Sequence, residues 1–245
     1  MASILDRYGI KEVADVTFYK IQPDGSIGAP VLYLDTLKVS TIEQTAENTS
    51  ARGGKGNPEL ITWDYGKEIT VTLEDALFSA KSMAIMFGSV NTDGDAVIGS
   101  SASILKTVRK ADVTSGAVTI NGESITIPTE GTSYYNADGT TGTSASYDYV
   151  TFPLSVKDVS VINISAETFP GTYYITGDTY ARRETDGLDE FFQFIIPKAK
   201  VQSEVTLTME AEGDPSTFSM NLRVLRPSND SMMKLVKYNL DVAEG

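Results

Sequence analysis

Apolar and polar residues alternate most regularly between residues 201 and 225. The apolar members of the series are Val205, Leu207, Met209, Ala211, Phe218, Met220, Leu222 and Val224. Asp214-Pro215 interrupts the alternation, and this dipeptide is typical of a turn. Successive side chains of a strand point to opposite faces, so the pattern predicts a long β-hairpin with one face on a core and the other in water.

Shorter patterns of the same kind predict further strands at residues 12–21, 31–44, 59–64, 67–72 and 190–196. Pro197 is expected to end the last of these strands. Tyr65-Gly66 is predicted to be a hairpin turn between two of them, with Ile61 and Trp63 facing Ile69 and Val71. Asn121-Gly122 predicts another hairpin, because both residues tolerate the backbone of a tight turn.

One helix is predicted, at residues 74–87. Its apolar residues recur at three- and four-residue spacing, as on one helical face, at Leu77, Ala80, Ala84 and Phe87. Thr72-x-x-Asp75 resembles the capping pattern of a helix N-terminus, and Gly88 is a typical stop. The helix is therefore expected to lie across one face of a β-sandwich.

Residues 45–58 are polar and rich in glycine, which predicts a long loop. Arg52 and Lys55 lie near its end, without an adjacent acid, in a chain that is otherwise acidic. Isolated cations on a protruding loop favour contact with another subunit. We therefore assign Arg52, Gly53, Gly54 and Lys55 as candidate inter-subunit residues. A mobile surface loop is the alternative interpretation.

Residues 111–180 differ from the rest because Ser, Thr, Gly, Asn and Tyr dominate there. We interpret them as a β-rich insertion into a β domain made of residues 1–110 and 181–245. Four tyrosines cluster in the insertion, at Tyr134, Tyr135, Tyr147 and Tyr149. They are expected to pack the insertion or to stack on a sugar. The predicted fold is mainly β: a β-sandwich or barrel-like domain with one packed helix, a long loop and the insertion.

The 245-residue chain contains neither cysteine nor histidine. This composition excludes disulfides, thiolate or imidazole metal sites, cysteine nucleophiles and Ser-His-Asp triads. No enzymatic activity and no cofactor are expected, although an enzyme that relies on carboxylates stays an alternative.

Two short motifs resemble ligand-binding loops but lack essential parts. Gly53-Gly54-Lys55-Gly56 resembles a phosphate loop, yet no Ser or Thr follows the lysine. Asn91-x-Asp93-Gly94-Asp95 resembles a calcium loop, but Ala102 stands where the bidentate glutamate belongs. The second motif is expected to be a solvated turn, and neither motif predicts a bound ligand.

The formal net charge of −13 disfavours a protein that grips nucleic acid, because phosphates are bound by clustered Lys and Arg. It is compatible with a surface along which DNA passes without adhering. The polar side of the first hairpin strand has this character, at Glu204, Thr206, Thr208, Glu210 and Glu212. The alternative is that the acidity only keeps the protein soluble.

No apolar run approaches the length of a membrane-spanning helix, and the first residues lack the layout of a signal peptide. Synthesis in the cytosol and no membrane partner are therefore expected.

Several segments occur in an order that resembles a known family. They are Arg52-Gly53-Gly54-Lys55-Gly56-Asn57-Pro58, Ile61-Thr62-Trp63-Asp64-Tyr65-Gly66-Lys67-Glu68-Ile69-Thr70-Val71, the predicted helix, Phe191-Phe192-Gln193-Phe194-Ile195-Ile196-Pro197-Lys198-Ala199-Lys200 and Met209-Glu210-Ala211-Glu212-Gly213-Asp214-Pro215. In this order the chain resembles the major tail tube proteins of long-tailed bacteriophages and related phage-like particles. The resemblance covers residues 12–88 and 190–225 and leaves 111–180 uncovered.

The resemblance implies a structural virion protein, made in the cytoplasm of a host bacterium and located in the tail. Such proteins are β-sandwiches with one helix that form stacked rings, commonly hexameric, around a lumen through which DNA passes to the host. The implied partners are further copies of the chain, other tail proteins at the tube ends, a sheath in some tails, and DNA in transit. The polar hairpin face is then expected to line the lumen, and the insertion to lie outside. A free-standing β-sandwich binding module, for carbohydrate or as a capsid decoration, is the alternative.

Overall fold

The computed structural model describes residues 7–205, 217–228 and 230–239. The chain divides into a main unit, Met1–Ile98 with Ile162–Gly245, and a second unit, Gly99–Val161. The elements of the described residues are, in chain order, β1 (Tyr8–Ile10), β2 (Asp15–Ile21), β3 (Ile27–Leu34), β4 (Leu37–Arg52), β5 (Glu59–Asp75), α1 (Ala80–Met86), β6 (Ile104–Arg109), a 3-10 turn (Lys110–Asp112), β7 (Val113–Thr114), β8 (Ala117–Ile120), β9 (Glu123–Thr126), β10 (Ser133–Tyr135), β11 (Tyr149–Leu154), β12 (Thr172–Arg183), β13 (Asp189–Val201), β14 (Phe218–Val224) and β15 (Lys234–Tyr238).

The described strands of the main unit form one antiparallel sheet in the order β3-β2-β12-β13-β14-β5-β4. β1 also pairs with β12, and β15 with β13. The end strands β3 and β4 follow each other in the chain, and only Asp35-Thr36 joins them. The sheet therefore curls until its two ends meet at this connection. The predicted mainly-β fold with one helix is confirmed for the described residues.

One face of this sheet forms the core. In β12 and β14 every second residue is buried, as a strand with one face on a core requires. The largest fully buried side chains of the main unit are Tyr173, Phe18, Leu73, Ile85, Ile175, Ile196 and Leu222. Each such aliphatic or phenyl side chain contributes about 1.5–3 kcal/mol when it leaves water. α1 adds Ile85 and Met86 to the same cluster.

A close approach between β12 and β13 explains one glycine. A Cβ built on Gly177 would lie 2.1 Å from ring atoms of Phe194, which is itself buried. No other residue type fits between the strands there without displacing that ring.

The predicted end of β13 at Pro197 is wrong. The strand continues to Val201, and its register with β12 shifts between Tyr173 and Ile175, opposite the proline. A bulge accommodates a residue without a backbone N–H, so the strand passes through the proline.

The predicted hairpin at residues 201–225 is described in part. Its second strand is confirmed as β14, which pairs with β13 through Ala199, Lys200 and Val201. The four apolar side chains predicted to face the core from this strand are buried. The predicted first strand falls mostly on residues 206–216, which lie outside the described residues.

The helix is shorter than predicted. It begins after Ser79, whose side chain and that of Ser82 cap each other's backbone N–H groups. Thr72 and Asp75 belong instead to β5, and the Asp75 carboxylate accepts hydrogen bonds from the Thr36 hydroxyl at 2.5 Å and the Leu77 N–H at 3.2 Å. The predicted stop is confirmed, because Gly88 follows the helix with φ +77°.

β4 and β5 form one long hairpin, which corrects two predictions. Residues 45–52 are strand rather than loop, and the turn lies at Gly53–Pro58. Tyr65-Gly66 is not a turn: Gly66, with φ +62°, lies in a bulge of the continuous strand β5. A bulge and a turn both use glycine at positive φ, so the residue types alone do not separate them.

Every residue of the second unit is described. It contains two three-stranded antiparallel sheets, β10-β11-β6 and β7-β8-β9, with Val118, Val150 and Phe152 buried in its core. Asn121 and Gly122 both have positive φ in the turn between β8 and β9, which confirms that hairpin. The unit has other boundaries than the predicted insertion 111–180, since β12 is a strand of the main sheet.

Candidate functional site

The outer part of the β4–β5 hairpin is the most unusual surface of the main unit. Residues 45–52 and 59–67, which we call the distal ribbon, pair only with each other among the described residues. Nearly every residue of the ribbon is exposed, on both of its faces. Residues 70–75 of the same strand pair with both β4 and β14, and residues 68–75 alternate between buried and half-buried positions.

Large apolar side chains occupy one face of the distal ribbon. Ile61, Trp63 and Tyr65 are 54%, 51% and 52% exposed. They share a face because they are two residues apart on one strand. Their cross-strand neighbours are Ala51, Thr49 and Glu47. Leu60, on the other face, is 63% exposed. Contiguous exposed apolar side chains of this kind mark surfaces that associate with other molecules.

The predicted hairpin with Ile61 and Trp63 facing Ile69 and Val71 is wrong. Trp63 pairs with Thr49 of β4, and neither strand turns at Gly66. Ile61, Trp63 and Tyr65 alternate with the polar Thr62 and Asp64, as in a strand with one buried face, so the pattern alone did not show that this face is exposed.

A turn rich in glycine forms the tip of the ribbon. Gly54, Gly56 and Asn57 all have positive φ, and the Asn57 N–H donates to the Gly54 carbonyl at 3.1 Å. The segment joins two antiparallel strands, so it lacks the strand-to-helix context of a phosphate loop. Lys55 is exposed at the tip and makes no ion pair with a described residue.

Arg52 is not an isolated cation, contrary to the prediction. Its guanidinium lies 3.2 Å from the Glu59 carboxylate across the hairpin. Glu59 also accepts a hydrogen bond from the Thr62 hydroxyl at 2.5 Å. Both partners of the ion pair are about half exposed, so the pair contributes little to stability. An inter-subunit role for residues 52–55 stays a prediction.

Of the predicted acidic face, the structure describes only the first residue. Glu204 is exposed to solvent. Thr206, Thr208, Glu210 and Glu212 lie outside the described residues. On the neighbouring strands, the side of the sheet away from the core carries short polar groups, and the Thr72 hydroxyl donates to the Asn221 side chain at 3.0 Å.

The perturbed carboxyl groups of the main unit have structural partners. The Lys20 ammonium, 2.5 Å from Asp95, lowers the pKa of that carboxyl. The Asn91 side-chain oxygen accepts the N–H groups of Asp93 and Asp95, so the calcium-like segment is a turn, as predicted. Two hydrogen bonds of 2.7 Å from Arg182 lower the pKa of Asp189 in the same way.

A buried charge cluster lies where β1 and β15 pair with β12 and β13, and no sequence pattern predicted it. Glu190 is 3% exposed and pairs with Arg183 and with the Lys237 ammonium. Lys237 also donates to the Tyr8 hydroxyl at 2.8 Å. The cluster therefore ties β1 and β15 to the β12–β13 hairpin.

The described residues contain no group of three or more acidic side chains placed to hold a metal ion. No helix among them is long and apolar enough to cross a membrane.

The family model of the YomU/Tube protein family matches residues 8–237, which include both units. No curated protein matches the chain.

Proposed function

Because the chain belongs to the YomU/Tube protein family, we propose that it assembles into stacked, six-membered rings that form the hollow tube of a phage tail. The family match confirms the resemblance to phage tail tube proteins that the sequence analysis described. The chain is accordingly a structural protein of the tail. The ring, its stacking and the passage of DNA are the proposal.

The distal ribbon is the observation that carries this proposal. Its apolar face presents Ile61, Trp63 and Tyr65, each about half exposed. Burial of the exposed part of each side chain against a partner would contribute about 1 kcal/mol. A two-stranded ribbon is marginally stable alone in water, so a partner surface would also hold it in place.

The length of the ribbon suits a contact with another copy of the chain. Its eight residues on β4, 45–52, extend about 27 Å from the sheet at the usual rise per residue of a strand. That distance reaches across a small domain. Repetition of the same contact by every subunit gives a ring when the rotation closes, and a stack when the contact also runs between rings.

Glu204, Thr206, Thr208, Glu210 and Glu212 line the lumen in this proposal. Hydroxyl groups and carboxylates do not bind phosphates, so DNA would pass without adhering, whereas Lys or Arg would slow it. Ring symmetry repeats each carboxylate, and the individual charges add to one negative field.

A position in the tail also implies contacts with other tail proteins. Other tail proteins cover the two ends of the tube, and a sheath surrounds it in a contractile tail. The second unit lies on the outside, where it leaves the stacking surfaces free.

Electron microscopy of the purified protein tests the assembly. We expect rings and tubes, with six-fold symmetry in end views. A matched variant lacks the two cross-strand pairs Asn48–Asp64 and Thr49–Trp63, a deletion that shortens the ribbon without reversing its faces. This variant should fold and stay as single subunits in sedimentation. Parent protein that remains unassembled at all salt and protein concentrations would contradict the proposal.

The lumen assignment has its own test. Tails that carry the changes Glu204→Lys, Glu210→Lys and Glu212→Lys should assemble and should retain DNA in a manner that salt relieves. If such tails release DNA as the parent does, these residues face away from the lumen.

A further inference from the structure

The four clustered tyrosines of the second unit occupy two different environments. Tyr134 and Tyr147 pack against the buried core of the unit, with their ring centroids 4.9 Å apart. Tyr135 and Tyr149 are paired across β10 and β11 and are 37% and 38% exposed. Packing explains the first pair completely. It leaves more than a third of each residue of the second pair open to solvent, on the same side of the sheet.

The exposed tyrosines belong to an ordered surface on the β10-β11-β6 sheet. Directly opposite residues of an antiparallel sheet share a face, and the register therefore places two rows on the same side. One row is Tyr135, Tyr149 and Arg109, and the next is Ser133, Thr151 and Thr107. We call these six residues the tyrosine face. Three strands at the usual spacing make it about 10 Å wide.

The polar groups of the tyrosine face are arranged for hydrogen bonding. The hydroxyl oxygens of Thr107 and Thr151 are 2.8 Å apart and exposed, so each has capacity left for a ligand. Beyond this row the face continues with the exposed Leu105 opposite Pro153.

The charge of the tyrosine face is opposite to that of the chain. None of its six residues is acidic, whereas the whole chain has a formal net charge of −13. Arg109 is exposed and makes no ion pair with a described residue. A guanidinium directly across from Tyr149, with Tyr135 one strand further along the same row, favours a ligand that has both a flat apolar surface and an anionic group.

We propose that the tyrosine face binds an acidic saccharide. The C–H faces of the sugar rings lie on Tyr135 and Tyr149, the hydroxyl row exchanges hydrogen bonds with sugar hydroxyls, and Arg109 binds a carboxylate or phosphate. Single-stranded nucleic acid also offers rings and anions. It is disfavoured because its phosphates recur at every residue, while the unit has six acidic residues for four basic ones over Gly99–Val161 (Asp112, Glu123, Glu130, Asp138, Asp148 and Asp158 against Lys106, Arg109, Lys110 and Lys157).

Fluorescence anisotropy of labelled oligosaccharides, measured on the full chain, tests this proposal. The probes are a maltooligosaccharide oxidised at its reducing end so that it carries one carboxylate, a maltooligosaccharide that carries one phosphate, and unmodified maltooligosaccharide of the same length as the neutral reference. A labelled oligothymidylate is the nucleic-acid probe. We expect one or both acidic saccharides to bind at least tenfold more tightly than the neutral one, and high salt to weaken that binding. The stronger of the two acidic probes identifies the anion that Arg109 recognises.

Variants locate the binding site. Arg109→Gln should weaken binding of the acidic saccharide roughly tenfold, because one charge-assisted hydrogen-bond pair is lost. Tyr135→Ala and Tyr149→Ala should each weaken it by a similar factor. Tyr134→Phe is the matched control, since it keeps the ring that packs in the core and should leave binding unchanged. Circular dichroism confirms that each variant is folded.

Three outcomes would overturn the proposal. The first is oligothymidylate bound more tightly than every saccharide. The second is equal binding of neutral and acidic saccharides, or no binding of either. The third is affinity for the acidic saccharide that Arg109→Gln and the two alanine variants leave unchanged. Each of these readouts is independent of whether the protein forms tubes.

Discussion

The two halves of strand β5, both paired with β4, have opposite surroundings. Over residues 68–75 the strand buries Ile69, Val71 and Leu73, and from residue 70 onward it pairs with β14 as well as with β4. Over residues 59–67 it pairs with β4 alone, and Ile61, Trp63 and Tyr65 are about half exposed. Apolar side chains thus pack in the core at one end of the strand and remain exposed at the other.

The boundary between the halves is the bulge at Gly66. Residues Thr45 and Glu68 pair on one side of it, and Glu47 and Tyr65 on the other, so one residue of β4 opposes two of β5. Bulges bend a strand and increase its twist. The bulge therefore redirects the ribbon at the point where the core ends. The comparison predicts that changes in the proximal half affect folding and that changes in the distal half affect assembly.

The largest effect is expected in the proximal half. Leu73 is 1% exposed, so Leu73→Ala should lower the free energy of unfolding by about 2–5 kcal/mol through lost burial and a cavity. Leu60→Ala, in the same strand but 63% exposed, is the control and should change it by less than about 0.5 kcal/mol. Chemical denaturation of the unassembled protein measures both. Equal decreases in the free energy of unfolding for the two variants would contradict the proposed difference between the two halves.

Trp63→Ser should act on assembly rather than on folding. The concentration needed for half assembly should rise roughly tenfold, which corresponds to about 1.4 kcal/mol. The free energy of unfolding of the single subunit should stay within about 0.5 kcal/mol of the parent value. Asp64→Ser changes the opposite face of the same strand and serves as the control. Sedimentation measures assembly. An unchanged concentration for half assembly would show that the apolar face of the ribbon is not part of the contact.

Gly66→Val tests the bulge itself. A β-branched residue at φ +62° is strained by about 1–2 kcal/mol, so the ribbon should open more often. Amide hydrogen exchange at residues 45–52 should become roughly tenfold faster, while residues 68–75 stay protected. Gly9→Val is a suitable control, because no atom lies within 4 Å of a Cβ built there. Exchange that stays at the parent rate would mean that the bulge does not depend on glycine.

The smallest effect is expected at the Arg52–Glu59 pair. Glu59→Gln should lower the free energy of unfolding by less than about 1 kcal/mol, because both groups are exposed. The difference should shrink at high salt. Lys55→Gln, which breaks no ion pair with a described residue, is the control. A loss well above this range in thermal unfolding would show that the pair organises the whole tip.

Alternation predicted the parts of the fold in which one face is buried within a single subunit. Phe218, Met220, Leu222 and Val224 followed that rule and are buried. The rule fails for residues 60–65, because a surface that a second molecule would cover carries the same apolar residues as a core. Sequence periodicity does not show whether an apolar face is buried by the same chain or by another molecule.

The start of the helix was mispredicted for a different reason. Thr72-x-x-Asp75 has the spacing of a capping box, but the Asp75 carboxylate is occupied by the hydroxyl of Thr36, 39 residues earlier in the chain. Local motifs do not report such distant partners. The glycines and charges of residues 52–55 indicated that the tip of the ribbon is an unusual segment. The ion pair of Arg52 could not be predicted, because it depends on the turn that brings Glu59 across from it.

The fluorescence of Trp63 tests the central claim most directly. It is the chain's single tryptophan, it lies on the distal ribbon, and it is 51% exposed. If the ribbon packs on a neighbouring copy, its emission should shift to shorter wavelength and become less accessible to acrylamide, in step with the appearance of tubes. Emission and quenching that remain those of the free subunit in sedimented tubes would show that the ribbon stays in solvent, and would contradict its role in assembly.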